Sequence, residues 1–531
     1  MNLLFKTKRY FHTVRYLKAI QVFYRIKYAL IPIKNLNESD FNGSVHEDFT
    51  LLPLPSSKQI VTKKNGDISF KLLNQEKVFQ SKIDWSYDEF GRLWNYNLQY
   101  ADFLNQNDLP VSVREELILD LLSWLYDGQL VPEPYPASLR IMNTIRFLDE
   151  HVESIQNTDL LLTGLHSELQ FLSNRLEFQL LGNHLLENAF ALLMGGTFLN
   201  QKKWADLGEN ILEDQLDEQI LDDGAHFERS PMYHQIMLFR VLEAISYLSG
   251  NADLRKSLKT SASKMVSWLK TMTFSDGSTA HFNDSVDGQA YSTGDLIWLA
   301  KKCGVDTGLH LELSDSGFRK FSSKTAELII DVDGIKPEYQ PGHAHADSLS
   351  FVLSLHGKPF IIDPSVSTYN PGERRNLERS TKAHNTITVN DENSADVWSA
   401  FRVGRRPNVR ILHEAKDKIT AKATYCTYSG LTVEHQRSIT FNDKNILITD
   451  SVKSEKNPSG RLHFPSGTSI KKITDTTVEF TDNTRIIFSN IIGLDKFKYD
   501  YGTGFYQRIE SYGIEYVFDN SCSIQIEASS V

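Results

Sequence analysis

The stretch "PGHAHADSLSFVLSLHGKPFIIDPS", Pro341 to Ser365, sets two histidines one residue apart, continues as an alternating apolar run and ends on an aspartate. Its reading decides the fold, because apolar residues at every second position belong to a strand. In such a strand His343, His345 and Asp347 would share one face. Toward the C-terminus the same period recurs in "VEHQRSITFNDKNILITDSV" (433–452), "TRIIFSNIIG" (484–493) and "SCSIQIEASS" (521–530), with Gly, Asn and Asp turns between the runs. On the N-terminal side, from about 111 to 300, the spacing is helical, as in "REELILDLLSWLYDG" (114–128), "NHLLENAFALLMGGTFL" (183–199) and "YHQIMLFRVLEAISYLSG" (233–250). Gly128, Gly195 and Gly250 stand where helices should stop. The strands come as a block without helices between them, so the expected fold is a helical domain followed by an antiparallel, sandwich-like β domain.

Bulk properties agree with a globular chain of more than one domain: 531 residues, 40% hydrophobic and 23% charged. A formal net charge of −10 argues against a nucleic-acid partner, although a local Arg and His cluster can still hold an anionic ligand. Cys303, Cys426 and Cys522 form neither a CxxC pair nor an even set, so no disulfide scaffold or thiolate zinc site is expected. No glycine-rich phosphate loop stands in a suitable context. The N-terminus carries Lys6, Lys8, Arg9, Arg15, Lys18, Arg25, Lys27 and Lys34, with no acid before Glu38. Charges interrupt each of its apolar runs, so it does not read as a secretory signal. It reads as a basic amphipathic segment that docks on the protein's own acidic surface or makes peripheral contact with an anionic membrane. The expected location is cytoplasmic or membrane-peripheral, extending to the cell envelope; oligomeric state is not legible.

Three polar clusters interrupt the apolar pattern. In "GNHLLEN" (182–188), helical spacing puts Asn183, His184 and Glu187 on neighbouring parts of one face; the plainer reading makes Asn183 an N-cap. In "DDGAHFERSPMYHQIML" (222–238), a Gly-Ser-Pro loop delivers Tyr233 and His234 at a helix start, where Tyr233 is either a presented phenol or a packing aromatic. The third cluster is the opening stretch together with "RRNLERSTKAHNTITVN" (374–390). From it His345, Asp363 and His384 could reach one zinc ion from adjacent strands.

Taken in order, "IDWSYDEFGRLWNYNLQY", "EPYPASLRIMNTIRF", "GNHLLENAFALL", "DDGAHFERSPMYHQIML", "GHAHADSLSFVL", "FIIDPSVSTYN", "TKAHNTITVN" and "WSAFRVGRR" resemble the heparinase II/III-like polysaccharide lyases, a superfamily that includes alginate lyases. The resemblance implies α+β architecture with an incomplete (α/α) toroid followed by an antiparallel β-sandwich. The expected division is a basic helical segment over 1–45, the toroid over 46–315 and the sandwich over 316–531. It also implies catalytic roles for Asn183, His184, Tyr233 and His343, and a structural zinc ion on His345, Asp363 and His384, which removes Asp347 as a ligand. Glu187, Arg140, Asn143, Tyr96, Asn97, Arg402 and Arg405 follow as substrate contacts, the arginines because a guanidinium holds a carboxylate or sulfate in bidentate fashion. The implied reaction is β-elimination on a uronic-acid polysaccharide, of glycosaminoglycan, alginate or capsular type, with syn or anti geometry left open. A carbohydrate-binding protein of surface-polysaccharide assembly that has lost turnover is the alternative.

Overall fold

The computed structural model describes residues 3–33, 35–41, 43–64, 66–442 and 445–529, with side chains from residue 7 onward; Lys34 and the side chain of Lys6 lie outside this set. The change of period is a change of domain. Helices run from Arg92–Gln99 to Thr293–Lys302, and the main run of strands opens at Phe318–Ser322.

The helical domain is built from two kinds of helix. Pro134–His151, Gly182–Phe198 and Pro231–Tyr247 bury nearly their whole circumference. Thr158–Asn174, Lys202–Gln219 and Ala252–Met272 bury one stripe and leave the other face polar. A helix apolar all round must sit inside, and an amphipathic one must cover it. Alternation of the two along the chain produces the inner and outer layers of an (α/α) toroid. One element was not foreseen: Val61–Lys64, Asp67–Leu72 and Gln75–Gln80 form a small antiparallel sheet, whose Phe70 packs edge-on against Trp85 and Phe103.

The C-terminal domain pairs all its strands antiparallel. An eight-stranded sheet runs from Asn408–Ala415 to Ile470–Ile473, and two four-stranded sheets lie against it. Ile330, Phe351, Ile387, Ile439, Ile448, Leu462, Ile514 and Ile524 meet in one core drawn from all three sheets, as in a sandwich. The opening stretch is only partly a strand. Residues 341–350 form an irregular loop, and the strands begin at Phe351–Leu355 and Lys358–Ile361. The two histidines therefore do not share a strand face; a loop with Leu349 at φ 62° places them individually.

Candidate active site

Each inner helix contributes to the site from its first turn: Tyr135 from Pro134–His151, Asn183 and His184 from Gly182–Phe198, Tyr233 from Pro231–Tyr247. Helix N-termini expose unpaired N–H groups and carry partial positive charge, a favourable setting for an anion. At the second helix the cap is Leu181, with no side-chain bond, and not Asn183. Glu228 replaces the cap, accepting from the Asn183 N–H at 3.0 Å and from its Nδ2 at 3.2 Å. Gly182 makes this approach feasible: its φ is +60°, and a Cβ there would stand 2.4 Å from Glu228 Oε1. At the third helix Ser230 is the cap, accepting from Tyr233 N–H, and its hydroxyl donates to the Asp284 carbonyl at 2.6 Å.

Facing these helices, the 341–350 loop lays the His343 ring over Tyr233 with centroids 3.9 Å apart. His343 Nδ1 lies 2.9 Å from Asp284 Oδ2, and its Nε2 is 3.6 Å from Glu228 Oε2. Asp284 also meets His345 Nε2 at 2.9 Å through its other oxygen, and Arg375 clamps both oxygens at 2.5 and 2.7 Å. One carboxylate thus orients both histidines. Burial would raise Asp284, but the Arg375 guanidinium and the two imidazoles overcome it and hold the group well below the usual carboxylate range. With Asp284 ionised, the His343 proton belongs on Nδ1 and Nε2 is presented as a base.

Glu228 shows the opposite balance. Burial pushes its carboxyl up, and His343 with the Asn183 N–H only partly offsets that. Burial likewise pushes the Tyr233 hydroxyl up, against the contrary effect of its contact with the Tyr369 hydroxyl at 3.4 Å. Burial would lower His184, yet Glu177, 3.0 Å from Nδ1, reverses the sign and raises it. The cleft therefore sets a carboxyl and a phenol that burial pushes up beside an imidazole that Glu177 pushes up. Rings of Tyr96, Tyr100, Tyr135 and His184 follow one another with centroids 6.5, 6.0 and 4.6 Å apart, forming an aromatic wall.

His345 and His384 stand with rings 5.2 Å apart. His345 Nδ1, His384 Nε2 and Asp347 Oδ2 are all buried without a hydrogen-bond partner. Burial lowers His345 to about 3, which keeps the imidazole neutral as a metal ligand must be. Asp363 is placed differently from the expectation. Its Oδ2 meets His384 Nδ1 at 2.7 Å and its Oδ1 accepts from Ser365 N–H, so it stands behind His384 as an orienting carboxylate. Among the described residues no group of three or more His, Cys, Asp or Glu is assembled in metal-holding geometry. The donor chemistry fits a zinc ion on the two histidines, with Asp347, discounted on the sequence, as the nearby unpartnered oxygen.

Most of the expected substrate contacts are structural. Arg140 is fully buried, paired with Glu168 and donating to the Gln99 carbonyl. Asn143 donates to the Tyr100 carbonyl and to Asp102, and Asn97 bonds back to Leu93 O within its helix. Glu187 is wholly buried against Arg240 at 2.9 Å, behind the wall; His184 takes Glu177 as its partner instead. Arg402 stacks on Trp398 and Arg405 donates to Cys426. Tyr96 does line the aromatic wall, with its hydroxyl donating to Glu133 at 2.6 Å. In "WSAFRVGRR" the residue that approaches the site is Phe401, edge-on to His343 at 6.2 Å. Sequence reading missed Glu177, Glu228, Asp284, Tyr369 and Arg375. For Asp284 a signal existed, since "NDS" (283–285) is a polar run between Phe282 and Val286.

A toroid whose inner helix ends meet a histidine loop from a β-sandwich across a polar cleft defines a two-domain α+β class of fold. Two family descriptions match: "Heparinase II/III N-terminus" over residues 76–295 and "Heparinase II/III-like, C-terminal" over 307–500. The chain belongs to the heparinase II/III-like family. It is 24% identical over 416 residues to a heparin-sulfate lyase of Pedobacter heparinus, covering 71% of this chain and 58% of that protein. It thus spans little more than half the length of that relative. The crystal structure of heparinase III superposes with a TM-score of 0.65 at 18% identity, covering 84% of this chain and 79% of that one. A heparan sulfate lyase structure from Pedobacter heparinus gives 0.54 at 18% identity, covering 86% and 80%.

Proposed function

We propose that the protein is a polysaccharide lyase that cleaves a uronic-acid-containing glycan by β-elimination, leaving a 4,5-unsaturated uronate end. The observation that carries this reading is the Tyr233–His343 pair, with Asp284 fixing the imidazole and the Asn183–Glu228–His184 group beside it. The chain's relatives among the heparin-sulfate lyases support a glycosaminoglycan-like substrate within the wider uronate class.

The C5 proton of a uronate is a poor acid because the adjacent carboxylate opposes carbanion formation. Asn183 and His184 neutralise that carboxylate, and each well-aimed donor is worth about 3–4 kcal/mol in the transition state. Glu228, whose carboxyl burial pushes up, takes a proton more readily than an ordinary glutamate and so opposes an anionic substrate less. A base removes the C5 proton, the C5 electron pair forms the C4–C5 double bond, the C4–O bond breaks, and an acid protonates the departing oxygen. His343 Nε2 is suited to the base role, and the Tyr233 hydroxyl, with its proton held by burial, to the acid role. With a substrate presenting proton and leaving group on one face, Tyr233 would serve both steps only by entering as the phenolate, against the effect of burial.

We also propose a structural zinc ion on His345 and His384, with Asp363 orienting His384. Such an ion would tie the loop that carries His343 to the sandwich, and no step of the reaction passes through it. Purified protein is expected to carry about one zinc per chain, and His384→Ala should lower both metal content and thermal stability. A metal-free wild type of equal stability would refute this role. The lyase reading is tested by Tyr233→Phe, which should stay folded and lose formation of the ultraviolet-absorbing unsaturated product.

A further inference from the structure

The two N-terminal helices, Leu3–Val14 and Ala19–Leu30, are mounted with their faces reversed. In an ordinary surface helix the apolar stripe faces the core. Here the inward face of the second helix is Gln21, Tyr24 and Tyr28. Gln21 is fully buried and donates to the Leu180 and Tyr339 carbonyls at 3.1 and 3.4 Å; Tyr28 donates to the Leu176 carbonyl at 2.8 Å; Lys18, just ahead of the helix, pairs with Glu218. The first helix is held by Arg9 on Asp396 at 2.6 Å and by the Trp398 indole N–H donating to Thr13.

The outward face is apolar. Phe23, Ile26 and Leu30 follow one another at helical spacing and are 61%, 58% and 76% exposed. On the first helix Phe11 and Val14 are likewise exposed, at 59% and 50%. Exposed Lys8, Arg15 and Arg25 flank it, and the segment has no acid before Glu38, although the whole chain is acidic. Scattered exposed apolar residues are ordinary, but a contiguous basic-rimmed patch marks a binding surface. Among the described residues no helix is long and apolar enough to cross a membrane.

We infer that this face docks on the surface of an anionic lipid bilayer. The apolar side chains enter the interface and the rim cations meet the negative headgroups, as for an amphipathic helix pair lying in the membrane plane. Charge complementarity favours this occupant over a second copy of the chain. The polar inner face bonds to carbonyls just ahead of Asn183 and His343, so docking also fixes the attitude of the cleft toward the bilayer. The proposal is independent of the lyase reading, since none of the outward residues touches the cleft.

The test is co-sedimentation of the full chain with vesicles containing phosphatidylglycerol and with phosphatidylcholine vesicles, run with light scattering and thermal melts. The wild type should pellet with the anionic vesicles alone, and less at high salt. A Phe23→Glu, Ile26→Glu, Leu30→Glu variant and a Lys8→Gln, Arg15→Gln, Arg25→Gln variant should each keep the melting temperature and bind at least roughly tenfold more weakly. Absence of vesicle binding, equal binding to the neutral vesicles, or undiminished binding by folded variants overturns the proposal. So does a wild-type dimer that becomes monomeric in the apolar variant, which would assign the face to a second copy.

Discussion

Two carboxyl groups are buried where the walls of the cleft meet, and their pKa values are shifted in opposite directions. On the toroid wall Glu228 has N–H donors and one imidazole nitrogen at 3.6 Å, so burial prevails and its pKa rises. Asp284, also from the helical domain, reaches a bidentate arginine and two imidazoles of the sandwich, so burial loses and its pKa falls. Depth is the same for both; full ionic pairing makes the difference. Glu228 thereby resists ionisation beside the helix ends, while Asp284 holds the His343 ring in place.

The comparison breaks most sharply at Asp284. Asp284→Asn should reduce kcat by about 10²–10⁴, the range for loss of positioned acid–base catalysis. It should also lower stability by roughly 3–5 kcal/mol, because Arg375 is left buried and unpaired; stopped assays and denaturant melts on one preparation check both. Tyr233→Phe should lower kcat by a similar factor of about 10²–10⁴ while leaving the melt unchanged, which separates chemistry from support. Glu228→Gln keeps the shape and a hydrogen-bonding head group, so it should change kcat/KM by no more than about tenfold, well short of the other two. Equal losses from the Glu228 and Asp284 variants would erase the distinction between the two carboxyls.

The same contrast sets the pH dependence of stability. Asp284, with a folded pKa below its ordinary value of 3.8, contributes stability above that value that is lost as the pH falls through it toward the depressed pKa. Glu228 has a raised folded pKa, so from its ordinary value of 4.5 upward the unfolded chain gains by ionising and stability declines. Melts across this window should show Glu228→Gln as stable as the wild type or more so near neutrality, and Asp284→Asn losing its disadvantage in acid. The raised pKa of His184 places its loss of charge above the ordinary 6.5, so KM should rise on the alkaline side of that value.

The sequence disclosed the architecture because burial imposes a period, and the change from helical to alternating spacing is visible in a single chain. It disclosed Asn183, His184, Tyr233, His343, His345 and His384 because polar residues stood out against apolar runs and matched family motifs. It misled at Arg140, Asn143 and Glu187, where a motif polar group is consumed by a buried partner distant in sequence, such as Glu168 or Arg240. Asp284 and Arg375 were missed for the same reason: a loop residue and a residue of the helix Glu373–Glu378, far apart in sequence, meet only in the folded chain. The opening histidine pair looked like one strand face, and the loop instead divides it across the two oxygens of Asp284.

The most direct test of the lyase reading incubates the wild type and Tyr233→Phe with alginate, hyaluronate, chondroitin, heparan and bacterial capsular polysaccharides and follows new ultraviolet absorbance. The wild type is expected to generate unsaturated product from at least one of them and folded Tyr233→Phe from none. Cleavage without unsaturated product, or equal activity of the two proteins, would contradict β-elimination at this site.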